Sequence, residues 1–196
     1  MDNRLIKIIA AQLMVIFFSV CVAGSTVYEG NINVGYYNWS DSHSSSIKAE
    51  SGNLWGFRVG SYINDNIRTG INYNTWQLNF GSYDDEGAVV SSGSSLWNAF
   101  YVSSDLILLQ TNRYAPYIGL GAGFYKRSYT YKSANVEKNE NQHWRFGHNY
   151  TIGVQLNLSE NYIINFGIRY HDIPATFNYN RRALYNILAG VSYIKF

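Results

Sequence analysis

The chain of 196 residues has the length of one domain and carries a formal net charge of +2. Hydrophobic residues make up 46% of it, charged residues only 14%, and tyrosine alone fills 18 positions. A cytosolic protein usually has about a quarter charged residues, so this composition argues against an ordinary cytosolic enzyme and against disorder. The small net charge also argues against nucleic acid as a partner.

The amino terminus, residues 1–23, predicts a cleaved secretory signal peptide. Two basic residues precede an apolar run over residues 8–22, and a small-x-small cleavage site ends at Ala23. The run is about fifteen residues long, short of the roughly twenty that a spanning helix needs, so a membrane anchor is the less favoured alternative. Cleavage leaves a mature domain over residues 25–196 without cysteine, which predicts neither disulfides nor thiol chemistry.

From residue 28 onward, apolar residues recur at every second position, which predicts β-strands. Eight strands are expected, at 28–37, 54–63, 67–78, 96–108, 115–125, 146–158, 162–171 and 184–196. Four long connections are expected outside the cell, at 38–53, 81–95, 126–145 and 172–183. The connections between them are short, and this alternation is typical of membrane barrels.

The charged residues of the strands fall on the more polar of the two strand faces. We interpret that face as the lumen, lined by a charge network of Arg58, Arg68, Asp105 and Arg169, and we assign Lys195 to it as well. An arginine or lysine facing lipid at mid-membrane costs about 2–4 kcal/mol, which favours inward placement. Asp105 is the only acidic residue that this interpretation places inward, so it is expected to pair with one arginine, and which one stays open.

A soluble eight-stranded barrel such as a lipocalin is the competing architecture, with an apolar interior and a polar exterior. Three features favour a membrane barrel over a soluble one: aromatic residues at the strand ends, the alternation of long and short connections, and the terminal Phe196. The sequence therefore predicts an all-β protein, an eight-stranded antiparallel up-and-down transmembrane β-barrel.

The last strand, 184–196, ends where the chain ends. Its even positions carry no charge and are predicted to face lipid, opposite Tyr185, Tyr193 and Lys195. The stretch resembles the closing strand of bacterial outer-membrane β-barrel proteins, which typically ends in Phe after alternating apolar residues. The resemblance is carried by Gly190, Ile194 and Phe196, and it implies that they form a signal for the barrel-assembly machinery.

The whole pattern is similar to the small barrels of the OmpA transmembrane domain and of the Ail, Lom and opacity-protein groups. This resemblance implies a bacterial outer-membrane location, contact with membrane lipid and lipopolysaccharide, and no cofactor. It also implies a function in surface interaction or adhesion through the four outer connections, with host or surface ligands as partners, or structural support of the membrane. A narrow channel is a further alternative.

Two motifs could suggest other chemistry. Gly119, Gly121 and Gly123 form a Gly-x-Gly-x-Gly run, but a nucleotide site needs that run at a strand-to-helix turn. We interpret these glycines as room for neighbouring tyrosine and arginine side chains in the lumen.

The second motif is His171-Asp172, which together with His148 could support hydrolysis. Outer-membrane lipid A deacylases and palmitoyltransferases are barrels of this size, so a lipid A-modifying enzyme is the alternative function. The deacylase motif carries a serine two residues after its histidine, however, and Ile173 stands there. No nucleophile is assigned. The histidines also lack the spacing of metal ligands, so no metal site is predicted.

Overall fold

The computed structural model describes residues 26–38, 51–83, 89–109, 111, 113–133, 136–173 and 182–195. These contain nine antiparallel strands: β1 Thr26–Asn38, β2 Ser51–Asn64, β3 Ile67–Tyr83, β4 Val89–Ile107, β5 Tyr114–Ser133, β6 Val136–Asn141, β7 Arg145–Asn157, β8 Tyr162–Ile173 and β9 Arg182–Lys195. None of the described residues belongs to a helix long and apolar enough to cross a membrane. The predicted signal peptide and Phe196 lie outside the described residues.

The strands close into a ring. Neighbours pair in the order β1-β2-β3-β4-β5-β7-β8-β9, and β9 pairs with β1 again. The sixth strand pairs with residues 128–133 of β5, on the same edge that β7 pairs with at 114–125. Since β6 and β7 occupy one position in turn, the wall has eight strands, and the predicted eight-stranded barrel is confirmed.

The register of the pairing fixes the inclination of the strands. Followed once round the ring, the pairing leaves β1 at Val27 and returns to it at Tyr37, ten residues further on. The intermediate partners are Gly60, Gly70, Ser103, Gly121, Asn149, His171 and Leu184. Closing a barrel with such a stagger tilts its strands, typically by about 35–45°, and eight strands leave an interior just wide enough for side chains.

Burial alternates along the strands and separates the two faces of the wall. In β4, for example, Tyr101 and Asp105 are each 1% exposed, whereas Phe100 is 38% and Leu106 is 44% exposed. The same alternation holds in β2, β5, β7 and β8, and it confirms the two faces predicted for them. It also holds in β3, except that Thr69 and Thr75 of the outward face are buried. In β1 the predicted faces lie outside the described side chains, apart from the buried Val27.

The last strand is the exception, because its predicted orientation was wrong. The even-numbered residues of β9 from Leu184 to Ile194 are buried, and the exposed positions are odd-numbered, with Ile187 at 66% and Val191 at 53%. Absence of charge was a poor guide here, since Asn186 and Ser192 make the even face the more polar one. Lys195 is exposed as well, at the end of the strand, where a charge beside lipid costs only about 0–1 kcal/mol.

Rows of tyrosines mark the two membrane borders on the β7–β9 side. Tyr150, Tyr170 and Tyr185 are cross-strand neighbours near one end, with ring centroids 6.3 Å and 4.9 Å apart. Tyr162 and Tyr193 pair near the other end, at 5.4 Å. Because the strand is tilted, the stretch of β8 from Tyr162 to Tyr170 spans about 20 Å along the membrane normal. This height is close to that of the apolar band of such barrels.

One side of the barrel rises beyond the outer border. The strands β3, β4 and β5 have 17, 19 and 20 residues, whereas β1, β2, β7, β8 and β9 have 12 to 14. Both described termini and the described residues of the short connections at 65–66, 108–113 and 158–161 lie at the opposite end, which is the periplasmic one by this asymmetry. The four segments 78–83, 89–95, 128–133 and 136–141 pair side by side above the membrane. We call them the outer sheet.

The outer sheet corrects two predicted loops. Residues 89–95 belong to β4 rather than to the loop predicted at 81–95, and most of the loop predicted at 126–145 is a hairpin of β5 and β6. Beyond the membrane, lipid no longer contacts one face of a strand. The apolar alternation therefore ends there although the hydrogen-bonded ladder continues. Residues 39–50, 84–88 and 174–181 of the predicted connections lie outside the described residues.

Candidate functional site

Apolar side chains fill the periplasmic end of the lumen. They form two clusters that both pack against Tyr62, one of Val27, Ile163 and Ile194 and the other of Ile107, Ala115 and Tyr117. Each of these six side chains is at most 5% exposed. The lower end of the barrel is thus a packed apolar layer.

The charged layer of the lumen is centred on Asp105. One of its carboxylate oxygens, Oδ2, accepts hydrogen bonds from Arg58 Nη1 and from Arg68, whose Nη2 lies at 2.7 Å and Nε at 3.1 Å. All three side chains are at most 2% exposed. Arg68 is the direct register partner of Asp105, and Arg58 reaches it from one strand further away. Both arginines therefore pair with Asp105, whereas the sequence analysis expected one.

A second acidic residue was missed by the sequence analysis. Glu29 lies within β1, at the register position between Arg58 of β2 and Ser192 of β9. Position 29 was not among the predicted lumen positions, because apolar residues alternate regularly in the first strand only from Ile32 onward.

Arg169 belongs to a second polar layer, nearer the outside. Its Nε donates to Thr151 Oγ1 at 2.8 Å, its Nη1 donates to the hydroxyl of Tyr101, and its guanidinium lies 5.5 Å from the centroid of that ring. The Tyr101 hydroxyl also accepts a hydrogen bond from Asn74 Nδ2 at 2.5 Å. The predicted charge network is therefore divided between two levels, with Asp105 at the centre of the lower one.

His171 lies in the lumen at this second level and is fully buried. Its Nδ1 is 2.9 Å from the Tyr125 hydroxyl and its Nε2 is 2.9 Å from Asn186 Nδ2, so both ring nitrogens have a neighbour. The rings of Trp76, Tyr101 and Tyr125 surround it at centroid distances of 5.5 to 5.8 Å. This packing makes His171 a structural part of the lumen.

Asp172, the next residue, contacts a different histidine. Its Oδ2 lies 3.4 Å from His148 Nε2, and the His148 side chain is 36% exposed on the outer surface of β7. The predicted hydrolytic group of His171, Asp172 and His148 is therefore divided between the two faces of the wall. Among the described residues, no group of three His, Cys, Asp or Glu side chains could hold a metal ion.

An aromatic and apolar layer fills the outer end of the lumen. Trp76 and Trp97 stack with ring centroids 6.2 Å apart and planes 7° apart. They share one buried cluster with Leu78, Ala99, Tyr101, Tyr125, Ile173 and Leu184. The two tryptophans were not among the predicted lumen residues, although both continue the inward alternation of β3 and β4. The polar layers thus lie between two apolar ones.

The glycine run of β5 provides space for polar lumen side chains. A Cβ on residue 119 would lie 2.4 Å from Asp105 Oδ1, and one on residue 121 would lie 2.7 Å from the Asn149 amide. Both contacts join direct register partners across neighbouring strands. The interpretation of the run as room for neighbours holds, but at these two positions the neighbours are an aspartate and an asparagine.

Residues 9–194 match the family of the outer membrane protein beta-barrel domain. The chain therefore belongs to this family of bacterial outer-membrane β-barrels, in agreement with the fold. No curated protein matches the chain in sequence.

Solved structures show the same architecture. Neisserial surface protein A is 15% identical, with 87% of this chain and 97% of that one covered and a TM-score of 0.64. The attachment invasion locus protein Ail of Yersinia pestis is 14% identical, with 87% and 98% covered and a TM-score of 0.52. OprG of Pseudomonas aeruginosa is 14% identical, with 88% and 96% covered and a TM-score of 0.53. At these identities the likeness shows the fold alone.

Proposed function

We propose that the protein is a closed outer-membrane scaffold whose outer sheet and neighbouring connections contact molecules outside the cell. The observation that carries this proposal is the division of the molecule into two parts. The lumen is filled by packed side chains between two apolar layers. Above it, the outer sheet extends β3, β4 and β5 beyond the membrane border.

The outer sheet has a composition suited to recognition. Its β4 segment holds four serines in seven residues, and its β5 segment holds Tyr129 and Tyr131. Tyrosine and serine dominate the binding loops of antibodies, because tyrosine supplies rigid contact area and serine supplies adaptable hydrogen bonds. One of the structurally similar proteins is named for attachment and invasion, and it has been solved in complex with the heparin analogue sucrose octasulfate. Both facts favour adhesion as the form of contact.

The alternative of a lipid A-modifying enzyme receives less support. His171 is enclosed in the lumen by three aromatic rings, so it does not face the membrane with Asp172. His148 and Asp172 do meet on the outer surface, but a hydrolase also needs a positioned nucleophile and donors for the oxyanion. The proposal therefore assigns no reaction to this surface.

The test shortens the outer sheet without touching the membrane part. Register partners Phe80 and Gly93 can be joined by an Asn-Gly turn, and Tyr129 and Glu140 can be joined in the same way. Cells of a non-adherent strain that display the full chain are expected to bind immobilised heparin and epithelial monolayers. Cells with both hairpins shortened are expected to bind several-fold less.

Surface staining and the heat-dependent gel mobility of the barrel serve as controls for equal insertion of the two proteins. A variant with only the periplasmic residue Glu160 changed to Gln is the matched control and should bind like the full chain. Equal adhesion by the shortened and the full chains would contradict the proposal.

A further inference from the structure

The sixth strand forms an edge of the outer sheet. On one side, β6 pairs with residues 128–133 of β5. It is the last strand in the order of the sheet, and no described strand pairs with its other side. The strand below it, β7, does have a second neighbour, because β8 pairs with it as far as Asp172. The free side of β6 is thus a site where a further strand can be added.

Alternate residues of β6 direct their backbone groups to this free side. The N–H of Gln142 donates to the carbonyl of Arg127 at 2.8 Å, so these two residues form a hydrogen-bonded pair of the ladder. Hydrogen-bonded and non-hydrogen-bonded pairs alternate in an antiparallel ladder. The N–H and C=O groups of Glu137, Asn139 and Asn141 therefore point away from β5. The side chains of these three residues are exposed.

A second copy of β6 is complementary to this edge. Two antiparallel copies pair all of their edge-facing residues in only one register, with Asn139 opposite its own copy and Glu137 opposite Asn141. This register forms about six backbone hydrogen bonds. It also puts Lys138 of each copy directly opposite Glu140 of the other, in the closely spaced pairs of the ladder. Opposite charges at such positions attract.

The charges of β6 favour a second copy over other strands. Charged side chains on an edge strand normally discourage pairing with a foreign strand. An uncharged strand would bring no opposite charge to Lys138 or Glu140, whereas a second β6 brings one to both. Glu137 lies on the other face of the strand, where it forms an ion pair with Lys132 at 3.4 Å. The register puts Asn141 opposite it, so no like charges meet there.

The symmetry of this pairing determines how the two barrels face each other. A contact between the same surfaces of two copies has a two-fold axis. For an antiparallel pair of strands, this axis stands perpendicular to the sheet. The outer sheet continues the wall of the barrel upward, so the axis lies in the plane of the membrane. The second barrel is therefore upside down relative to the first, and the two copies belong to two membranes that face each other.

The height of β6 sets the distance between these membranes. Asn139 pairs with Thr130, which lies about 15 Å further out than Phe124 on the tilted strand β5. Phe124 packs against Phe146 at a ring distance of 5.8 Å, just outside the outer tyrosine row. Two membranes joined at Asn139 are therefore about 30 Å apart. Contact at this distance requires lipopolysaccharide with short sugars.

We propose that the free edge of β6 is a self-recognition site, through which two copies in facing membranes join their outer sheets by strand pairing. The partner is a second copy of this chain, so cells that display the protein adhere to one another. The inference goes beyond the proposed contact with other surfaces, because neither heparin nor an epithelial ligand takes part in it.

The test uses outer-membrane vesicles shed by cells with truncated lipopolysaccharide, since such vesicles carry the outer sheet on their outside. Two preparations with different dyes are mixed, and two-colour clusters are counted. Asn139→Pro removes the N–H at the centre of the pairing without removing a hydrogen bond to β5. It is expected to lower the number of clusters several-fold, whereas the control Asn139→Ala should retain most of them. Heat-dependent gel mobility verifies equal insertion.

An exchange of charges tests the register. Lys138→Glu and Glu140→Lys each put like charges opposite each other when the variant pairs with itself, so vesicles of either variant alone are expected to cluster several-fold less. Mixing the two variants restores opposite charges at both positions, and the double variant restores them with itself. Clustering should return in both cases, which a folding defect could not produce.

Three outcomes would overturn the inference. The first is unchanged clustering of Asn139→Pro vesicles, and the second is failure of the two mixed charge variants to cluster. The third is clustering of vesicles that carry the protein with vesicles that lack it, since the partner would then be a different molecule. Electron cryotomography of the clusters should show membranes about 30 Å apart at the contacts. A gap too wide for two outer sheets to meet would contradict strand pairing.

Discussion

Individual residues of the lumen are fixed in pairs across neighbouring strands. The side chain of Asp105 packs over its register partner Gly119, and the side chain of Asn149 packs over its register partner Gly121. Asp105 Oδ1 and Asn149 Oδ1 have no hydrogen-bond donor among the described residues. A Cβ on residue 119 would lie 2.4 Å from the aspartate oxygen, and one on residue 121 would lie 2.8 Å from the asparagine oxygen. A side chain on either glycine would therefore displace the polar group that the lumen is built around.

The first prediction concerns Gly119→Ala. The new Cβ would lie 2.4 Å from Asp105 Oδ1, so the carboxylate must move away from its two arginines. We expect the free energy of unfolding to fall by about 1–3 kcal/mol, as for other overpacked sites. Urea unfolding in lipid vesicles, followed by tryptophan fluorescence, measures it. Ala122→Val, which enlarges a lipid-facing side chain of the same strand, is the control, and equal stability of both variants would contradict the prediction.

The second prediction concerns Asp105→Ala. This change leaves Arg58 and Arg68 without their shared carboxylate in a site that is at most 2% exposed. Removing one partner of a buried charge group costs about 3–5 kcal/mol. The comparison variant is Glu137→Ala, which breaks an ion pair whose side chains are 62% and 53% exposed and should cost at most about 1 kcal/mol. If the two variants unfold at the same temperature, the pairing of Asp105 with Arg58 and Arg68 does not stabilise the barrel.

The four charged residues that the sequence assigns to one face of the strands are all buried, and sorting residues by face needs only the alternation of each strand. Their partners were not predictable, because these depend on register. Arg68 faces Asp105 directly, whereas Arg58 reaches it with a long side chain from the strand beyond. The division of Arg169 from this group likewise follows from the stagger of the strands.

At the scale of elements, the sequence predicted strands well where lipid contacts one face and the lumen contacts the other. The middle parts of β2, β3, β5, β7 and β8 show this alternation and were placed correctly. The outer part of β4 and the short β6 were missed, because both of their faces lie above the membrane. Strand β9 was oriented wrongly because it carries uncharged residues on both faces.

The corrected orientation of β9 gives a third prediction. Ile187 is 66% exposed and lies between the tyrosine rows at 185 and 193, so its side chain faces the lipid chains. Ile187→Arg should lower the free energy of unfolding by about 2–4 kcal/mol in bilayers. The control Ile187→Leu should stay within about 1.5 kcal/mol of the unchanged protein. An arginine at 187 without effect on urea unfolding would mean that this face does not meet lipid.

The assembly signal remains a prediction, since Phe196 lies outside the described residues. Within β9, Gly190 is buried, and Ile194 packs into the periplasmic layer with Val27 and Ile163. Deleting Phe196 is expected to lower the amount of protein inserted, because the resemblance makes it part of the recognised ending. Heat-dependent gel mobility of membrane fractions measures the inserted amount, with Lys195→Gln as the control. Normal insertion of the shortened chain would remove Phe196 from the signal.

At the scale of the whole molecule, the sequence was sufficient to predict an eight-stranded transmembrane β-barrel. Few other folds combine eight segments of alternating apolar and polar residues with connections that are long and short in turn. The ten-residue advance of the register could not be predicted, since it needs every strand pair to be aligned. That advance sets which side chains share a level in the lumen. It places the side chains of Arg58, Arg68 and Asp105 at a level between two apolar layers. The register therefore determines whether an open path can run through the lumen.

The last prediction is that the barrel has no porin-like conductance. An ion crossing the lumen would have to pass two layers of apolar and aromatic side chains, one on each side of the charged group. Eight strands leave no room beside these side chains for a wide aqueous path. Planar-bilayer recordings of the purified protein should therefore show no stable, large conductance. Asp105→Ala leaves both apolar layers in place, so we expect it to lower stability while the barrel stays closed. A stable, large conductance in most insertions of the unchanged protein would show that the apolar layers do not seal the lumen.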